Sequence, residues 1–220
     1  ICWFAAMCWT SFANDAIASI IRSKIPPEMR DLCKECLSDR NKAQQLRNML
    51  WNKYGIGDDI SQPPEMDGRN GFSEFTTFCA KFGIPMIRYK ENSGTMKAME
   101  PVVKDRKGNP CTVSLPQNKD EPHLLVLRYQ DGDHTKFPVH RRIQFHKQRY
   151  KLSGMYMGSR KCGHQIGAST IDDNWRHWGI GDADLHKSGI GPFYIIFSGS
   201  EWNTDNWWKA WKHVVHVTKF

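Results

Sequence analysis

Over residues 150–197 apolar and polar positions alternate with period two, and Gly, Asn and Asp interrupt the alternation at intervals. The pattern predicts a strand opening at Tyr150, a loop ending in Gly163-His164, and a second strand. A turn at Asp172-Asp173-Asn174 follows, then a third strand running into Asp182 and a last apolar strand over 192–197. Successive strands joined by short turns pair antiparallel. A histidine opening one strand then stands near a carboxylate at the end of its neighbour, and that carboxylate can orient the imidazole. This is the base half of a nucleophilic site.

A candidate nucleophile lies at the other end of the chain, in Ile1-Cys2-Trp3-Phe4-Ala5-Ala6-Met7-Cys8, where an apolar segment rich in helix formers begins. A cysteine in the first turn of a helix feels unpaired N–H groups and the positive end of the helix dipole, and both favour the thiolate. The bland alternative is that Cys2 is a small buried hydrophobe, the usual fate of a free cysteine. Cys8 stands six residues further on, inside the helix, and reads as core.

His164 competes with His123, His134, His140, His146, His177, His186, His213 and His216, which lie in charged or terminal settings suited to solvated or merely packed rings. It alone follows a Cys-Gly turn. It also precedes the small residues of Gln165-Ile166-Gly167-Ala168-Ser169, which would let a substrate chain approach closely. For the orienting group, Asp172, Asp173 and Asn174 read as solvated turn formers. Asp182 and Asp184 share one face of the next strand.

Cys2-Trp3 at a helix start, Tyr150-Lys151-Leu152-Ser153-Gly154, Gly163-His164, Trp175 and Trp178 before Asp182, and the closing Gly191-Pro192-Phe193-Tyr194-Ile195-Ile196-Phe197 together resemble the ubiquitin-specific peptidases of the papain-like clan. The likeness covers the first dozen residues and the last third of the chain, and suggests a compact version such as those of large DNA viruses. It implies an α+β papain-like fold in which an N-terminal helical lobe faces a mostly antiparallel sheet lobe. It also implies acyl transfer by a Cys2–His164–Asp182 triad. Asp182 is preferred because it follows Trp178 by four residues, with Asp184 and Asp173 behind it. The implied substrate is ubiquitin, a ubiquitin-like protein or a viral polyprotein, and no cofactor or metal is implied. Such enzymes usually keep a Gln or Asn just upstream of the nucleophile, a position this sequence does not include.

With 220 residues and 40% apolar content the chain suffices for one good core, a single peptidase domain over 1–220 with two lobes. Seven unevenly spaced cysteines argue against a disulfide framework and for a reducing compartment, the cytoplasm or, for a viral protein, host cytoplasm or virion. Cys33-Lys34-Glu35-Cys36 is a lone C-x-x-C without the second pair that structural zinc usually needs, and reads as two helical cysteines partly facing the core. The net charge of +8 would suit an acidic or nucleic-acid partner, although the charges form no long run and no base-reading motif accompanies them. This leaves a rival class, a catalytically silent peptidase-like module that binds nucleic acid or a protein partner. No transmembrane segment is expected. The apolar start lacks a basic leading region and is interrupted by Thr10, Ser11, Asn14 and Asp15, so a core helix is expected there rather than a signal peptide.

In chain order, a helix is expected over 2–25, stopped by Pro26-Pro27, and one or two more to residue 54 with Met29, Leu32, Leu37, Leu46, Leu50 and Trp51 as their apolar stripe. A loop over 58–70 and a short helix over 71–83 complete a helical lobe over 1–83. Strands are expected over 84–89, 97–103, 111–115, 124–129 and 143–145, in a sheet lobe over 84–200. The remainder, 201–220, reads as a Trp-rich helix capped by Asn203-Thr204-Asp205. It either packs back on the domain or offers a partner or membrane-surface face.

Overall fold

The computed structural model describes residues 2–58, 71–92, 95–118, 120–129, 142–145, 147–158, 165–171, 174–178 and 193–198. Five helices come first. The helix expected over 2–25 is two, α1 (Cys2–Phe12) and α2 (Asp15–Lys24), set at 95° to each other. Asn14 causes the break. Its backbone is extended, and its side chain accepts hydrogen bonds from Ala16 N and Ile17 N at 3.1 Å, so it caps a new helix instead of continuing the old one. Next come α3 (Pro27–Glu35) and α4 (Arg40–Tyr54), the latter capped by Asp39 and closed by Gly55 in the left-handed conformation. The last is α5 (Gly71–Lys81).

The order of burial follows from the patterns. α1 carries no charge at either end and is apolar almost all round, so it belongs in the centre: Trp3, Phe4, Ala6, Met7 and Cys8 are all buried. The other helices each turn one stripe toward it, Ile17 and Ile21 from α2, Met29 and Leu32 from α3, Leu46 and Leu50 from α4, and Phe72, Phe75 and Phe78 from α5. Each of these large side chains contributes about 1.5–3 kcal/mol by leaving water. Of the stripe expected over α3 and α4, Leu37 is only partly buried, and Trp51 stays half-exposed with Lys107 Nζ 5.6 Å over its ring.

Ten strands are described: β1 (Met86–Asn92), β2 (Thr95–Ala98), β3 (Val102–Lys104), β4 (Pro110–Thr112), β5 (Leu124–Tyr129), β6 (Arg142–Phe145), β7 (Gln148–Gly158), β8 (Gln165–Ile171), β9 (Asn174–Trp178) and β10 (Phe193–Ser198). Eight form one sheet in the order β2-β1-β5-β10-β7-β8-β9, with β6 also pairing with β7. Every pairing in it is antiparallel except β1 with β5. β3 and β4 make a separate ribbon.

The strand expected over 97–103 is divided between β2 and β3. Pro101 cannot donate to a ladder, and the chain turns there, with Met99 N bonding Arg88 O and Val113 N bonding Pro101 O. β1 starts two residues later than expected, after Pro85, and β4 stops at Thr112 rather than continuing to Leu115. The apolar run expected to be the last strand is β10, and it lies in the middle of the sheet between β5 and β7. Continuation of β9 to Asp182 and the helix expected in 201–220 lie outside the described residues. The fold is thus α+β, with the described helices preceding the described strands.

Candidate active site

The relation between α1 and β8 fixes the geometry. A Cβ built on Gly167 would stand 2.7 Å from Thr10 Oγ1, 3.1 Å from the Ala6 carbonyl carbon and closer still to the Ala6 oxygen. Only glycine lets helix and strand approach so nearly. Further along, Ser169 Oγ donates to Trp9 O at 3.0 Å, and Thr10 Oγ1 donates to Met155 O of the neighbouring β7 at 3.4 Å. The small residues of β8 therefore receive α1 at Gly167 and Ser169. The expectation that they leave room for a substrate chain is corrected at these two positions, because the backbone of Gly167 and the side chain of Ser169 meet the helix.

Ala6 lies against Gly167 and Trp9 against Ser169, so α1 and β8 run in the same direction. Going back four helical residues from Ala6 to Cys2 covers about 6 Å, and going back two strand residues from Gly167 to Gln165 covers about 6.6 Å. The first residue of α1 and the first residue of β8 are thus level at one end of the pair. β9 runs the opposite way, with Asn174 opposite Ile171 and Trp178 opposite Gly167, so it heads toward that same end. Among the expected site residues, Cys2 is the first residue of α1. His164 immediately precedes β8, Asp182 and Asp184 follow β9, and Asp173 precedes it; all four lie outside the described residues.

The start of α1 is held from three sides. Tyr156 Oη donates to Trp3 O at 3.3 Å from β7, and Gly71 at the head of α5 closes on the same two groups. Gly57, with φ +87°, lies flat against the Trp3 indole, where a Cβ would come within 2.6 Å of Cη2. Two buried carboxylates keep that segment in place: Glu74 accepts from Gly57 N at 2.8 Å and from Arg106 Nε at 2.7 Å, and Asp58 is gripped by both arms of Arg47. These acids position backbone. For Glu74 the signal in the sequence is an acidic residue set between Phe72 and Phe75.

Among the described residues, the other thiols have surroundings opposite to those of a nucleophile. Cys8, Cys33, Cys36, Cys79 and Cys111 are free and buried. Burial raises the pKa of Cys8, Cys33 and Cys79, and Cys36 hydrogen-bonded to Cys8 raises that thiol further. Reading Cys8 and the Cys33/Cys36 pair as core agrees with this. Among the described residues no group of three or more His, Cys, Asp or Glu side chains is disposed to hold a metal.

His123 is buried and has both ring nitrogens engaged, Nδ1 at 2.6 Å from Glu121 O and Nε2 at 2.7 Å from Tyr150 Oη. It is a packed ring, and it explains why Tyr150 is buried in β7. Two further cations escaped the sequence reading. Arg88 and Arg128 occupy inward-facing positions of β1 and β5, in phase with the buried Met86 and Val126. A basic residue in the apolar phase of a strand was the available signal.

No family model matches the chain, and no curated protein matches it. No helix among the described residues is long and apolar enough by itself to cross a membrane.

Proposed function

We propose that the chain is a cysteine peptidase of papain-like architecture that cleaves a peptide or isopeptide bond. Cys2 is the nucleophile, His164 the general base and acid, and Asp182 the residue that positions the imidazole. The observation that supports the reading is the shared end of α1 and β8: residues 2 and 165 start their elements at the same level although they are remote in sequence. The helix opens with a cysteine, and the strand begins one residue after a histidine. An apolar helix buried merely for stability has no need to bring its first turn to the head of that strand.

In this reading the Cys2 thiolate attacks the scissile carbonyl carbon. The tetrahedral oxyanion is held in part by the Cys2 backbone N–H, one of the unpaired donors of the first turn of α1. Collapse breaks the C–N bond as His164 gives its proton to the departing amine. His164 then takes a proton from water, which hydrolyses the thioester and frees Cys2. The preferred substrate is the C-terminal tail of ubiquitin or a ubiquitin-like protein, with a viral polyprotein as second choice. A reducing compartment such as the cytoplasm suits the free buried thiols.

The test is incubation with a ubiquitin probe carrying a C-terminal cysteine-reactive warhead, followed by location of the adduct by mass spectrometry in the native protein, Cys2→Ala and His164→Ala. An adduct on Cys2 that His164→Ala weakens supports both nucleophile and substrate class. Selective labelling of Cys2 by iodoacetamide without reaction toward ubiquitin retains the peptidase and points to the polyprotein. Absence of any selectively labelled cysteine overturns the reading.

A further inference from the structure

Between the first turns of α5 and the adjoining face of the sheet lies a cavity of about 270 Å³ whose polar lining is basic and hydroxylic: Ser73, Thr76 and Thr77 from α5, Arg88 from β1, Lys104 from β3 and Arg128 from β5. No acidic side chain lines it among the described residues. Arg88 pairs with Val126, so Arg88 and Arg128 stand two positions apart on one face of the parallel β1–β5 pair.

Two groups in this cavity are unusual. Arg88 is 7% exposed, and the partner of its guanidinium is the neutral Glu100 carbonyl oxygen, to which Nη2 donates. No carboxylate pairs with it among the described residues. A buried guanidinium without a counter-charge is costly, and proteins normally supply an anion for it. Thr76 is 2% exposed and its hydroxyl has no hydrogen-bond partner, whereas Thr77 one position on donates to Ser73 O at 3.0 Å. Two acidic side chains of the adjoining segments are engaged elsewhere, Glu74 with Gly57 N and Arg106 and Asp105 with Lys81. The missing counter-charge and the missing hydroxyl partner face one space.

We propose that this cavity is an anion site, taking a compact oxyanion, the carboxylate or phosphate group of a ligand, on Arg88, Lys104 and the Thr76 hydroxyl. The anion accepts from the guanidinium and the Thr76 O–H, and the ammonium of Lys104 closes the site from its exposed side. The site is separate from Cys2 and does not depend on the peptidase reading.

The experiment titrates the protein with sodium phosphate and, separately, sodium acetate, with sodium chloride holding ionic strength constant, and reads heat of binding and thermal midpoint. Saturable binding of phosphate alone assigns a phosphate-bearing ligand, and saturable binding of acetate assigns a carboxylate. Lys104→Met and Thr76→Val each weaken the anion about tenfold. Both should leave the midpoint without anion unchanged, since one side chain is exposed and the other loses a hydroxyl that bonds nothing. Arg88→Met should remove binding. If neither anion exceeds chloride, or if Lys104→Met and Thr76→Val bind as the native protein does, the site is refuted.

Discussion

Gly167→Ala tests the seam on which the candidate site rests. The added methyl would stand 2.7 Å from Thr10 Oγ1 and nearer still to the Ala6 carbonyl oxygen, whereas ordinary contact begins at 3.4 Å. Thr10 could rotate, but the Ala6 oxygen belongs to the backbone of the most buried helix, so α1 as a whole must retreat by a distance on the order of 1 Å. Overpacking of this kind costs about 1–3 kcal/mol, and the lower flexibility of alanine in the unfolded chain returns about 0.5–1 kcal/mol. The net expectation is a loss of about 1–2 kcal/mol, read as a lower urea midpoint with an unchanged slope. Catalysis should suffer more. Displacing one wall of a site by about 1 Å lowers turnover by about 100-fold, equivalent to about 2.7 kcal/mol, so labelling of Cys2 by the ubiquitin probe should slow out of proportion to the stability lost. A variant as stable as the native protein would refute the close approach of helix and strand. A destabilised variant with native probe reactivity would refute the assignment of the site to that seam.

Two further outcomes concern titrating groups. Burial works against the charged form of Asp105, but the bond from Lys81 Nζ at 2.8 Å, with the side chain and backbone N–H of Asn109, outweighs it and lowers the pKa from 3.8 to about 2. Because the folded value is the lower, the stabilisation is present above pH 4 and lost as pH falls through 2, and partial screening leaves about 1–2 kcal/mol of it. Asp105→Asn should lower the stability measured by urea unfolding at pH 7 by at least that much, with the deficit shrinking toward pH 2; a constant deficit would contradict the assignment. The raised pKa values of Cys8, Cys33 and Cys79 keep them as thiols at pH 8, so iodoacetamide should modify them only after unfolding in urea. Rapid native-state alkylation of any of the three, mapped by peptide mass spectrometry, would show that its burial is wrong.

The helical half was legible where its punctuation is local: Pro26-Pro27 and Gly55 each act within one turn and fall where helices begin or end. Asn14 was the exception. Its capping role competes with an unbroken apolar run, and side-chain geometry rather than hydropathy decides the outcome. Strands such as β5 and β10 were legible from apolar runs, while their order in the sheet was not, because nothing near 193–198 states that this segment enters between β5 and β7. For the candidate site, the helix start at Cys2 could be read from the sequence. The approach of α1 to β8 could not, since Gly167 looks like room for a ligand until a helix is seen to fill it. The basic cavity was missed because Arg88 and Arg128 were counted with the strands that carry them instead of being treated as charges in an apolar phase.

The central place of β10 has a consequence for synthesis on the ribosome. β5 and β7 both need it, yet it is made after every other described strand. At about 5–20 residues per second, residues 193–198 appear on the order of 10–40 s after the first. The apolar surface of α1 awaits the sheet for most of that interval, and the edges of β5 and β7 await β10 over its last part, the condition in which nascent chains associate wrongly or engage chaperones. Trp9 meets Ser169 across 160 positions, so the chain cannot close its core piecemeal as it emerges. The seam between α1 and β8 can therefore form only once residue 169 has been made, and a chain cut short before β10 would lack the strand that joins β5 to β7.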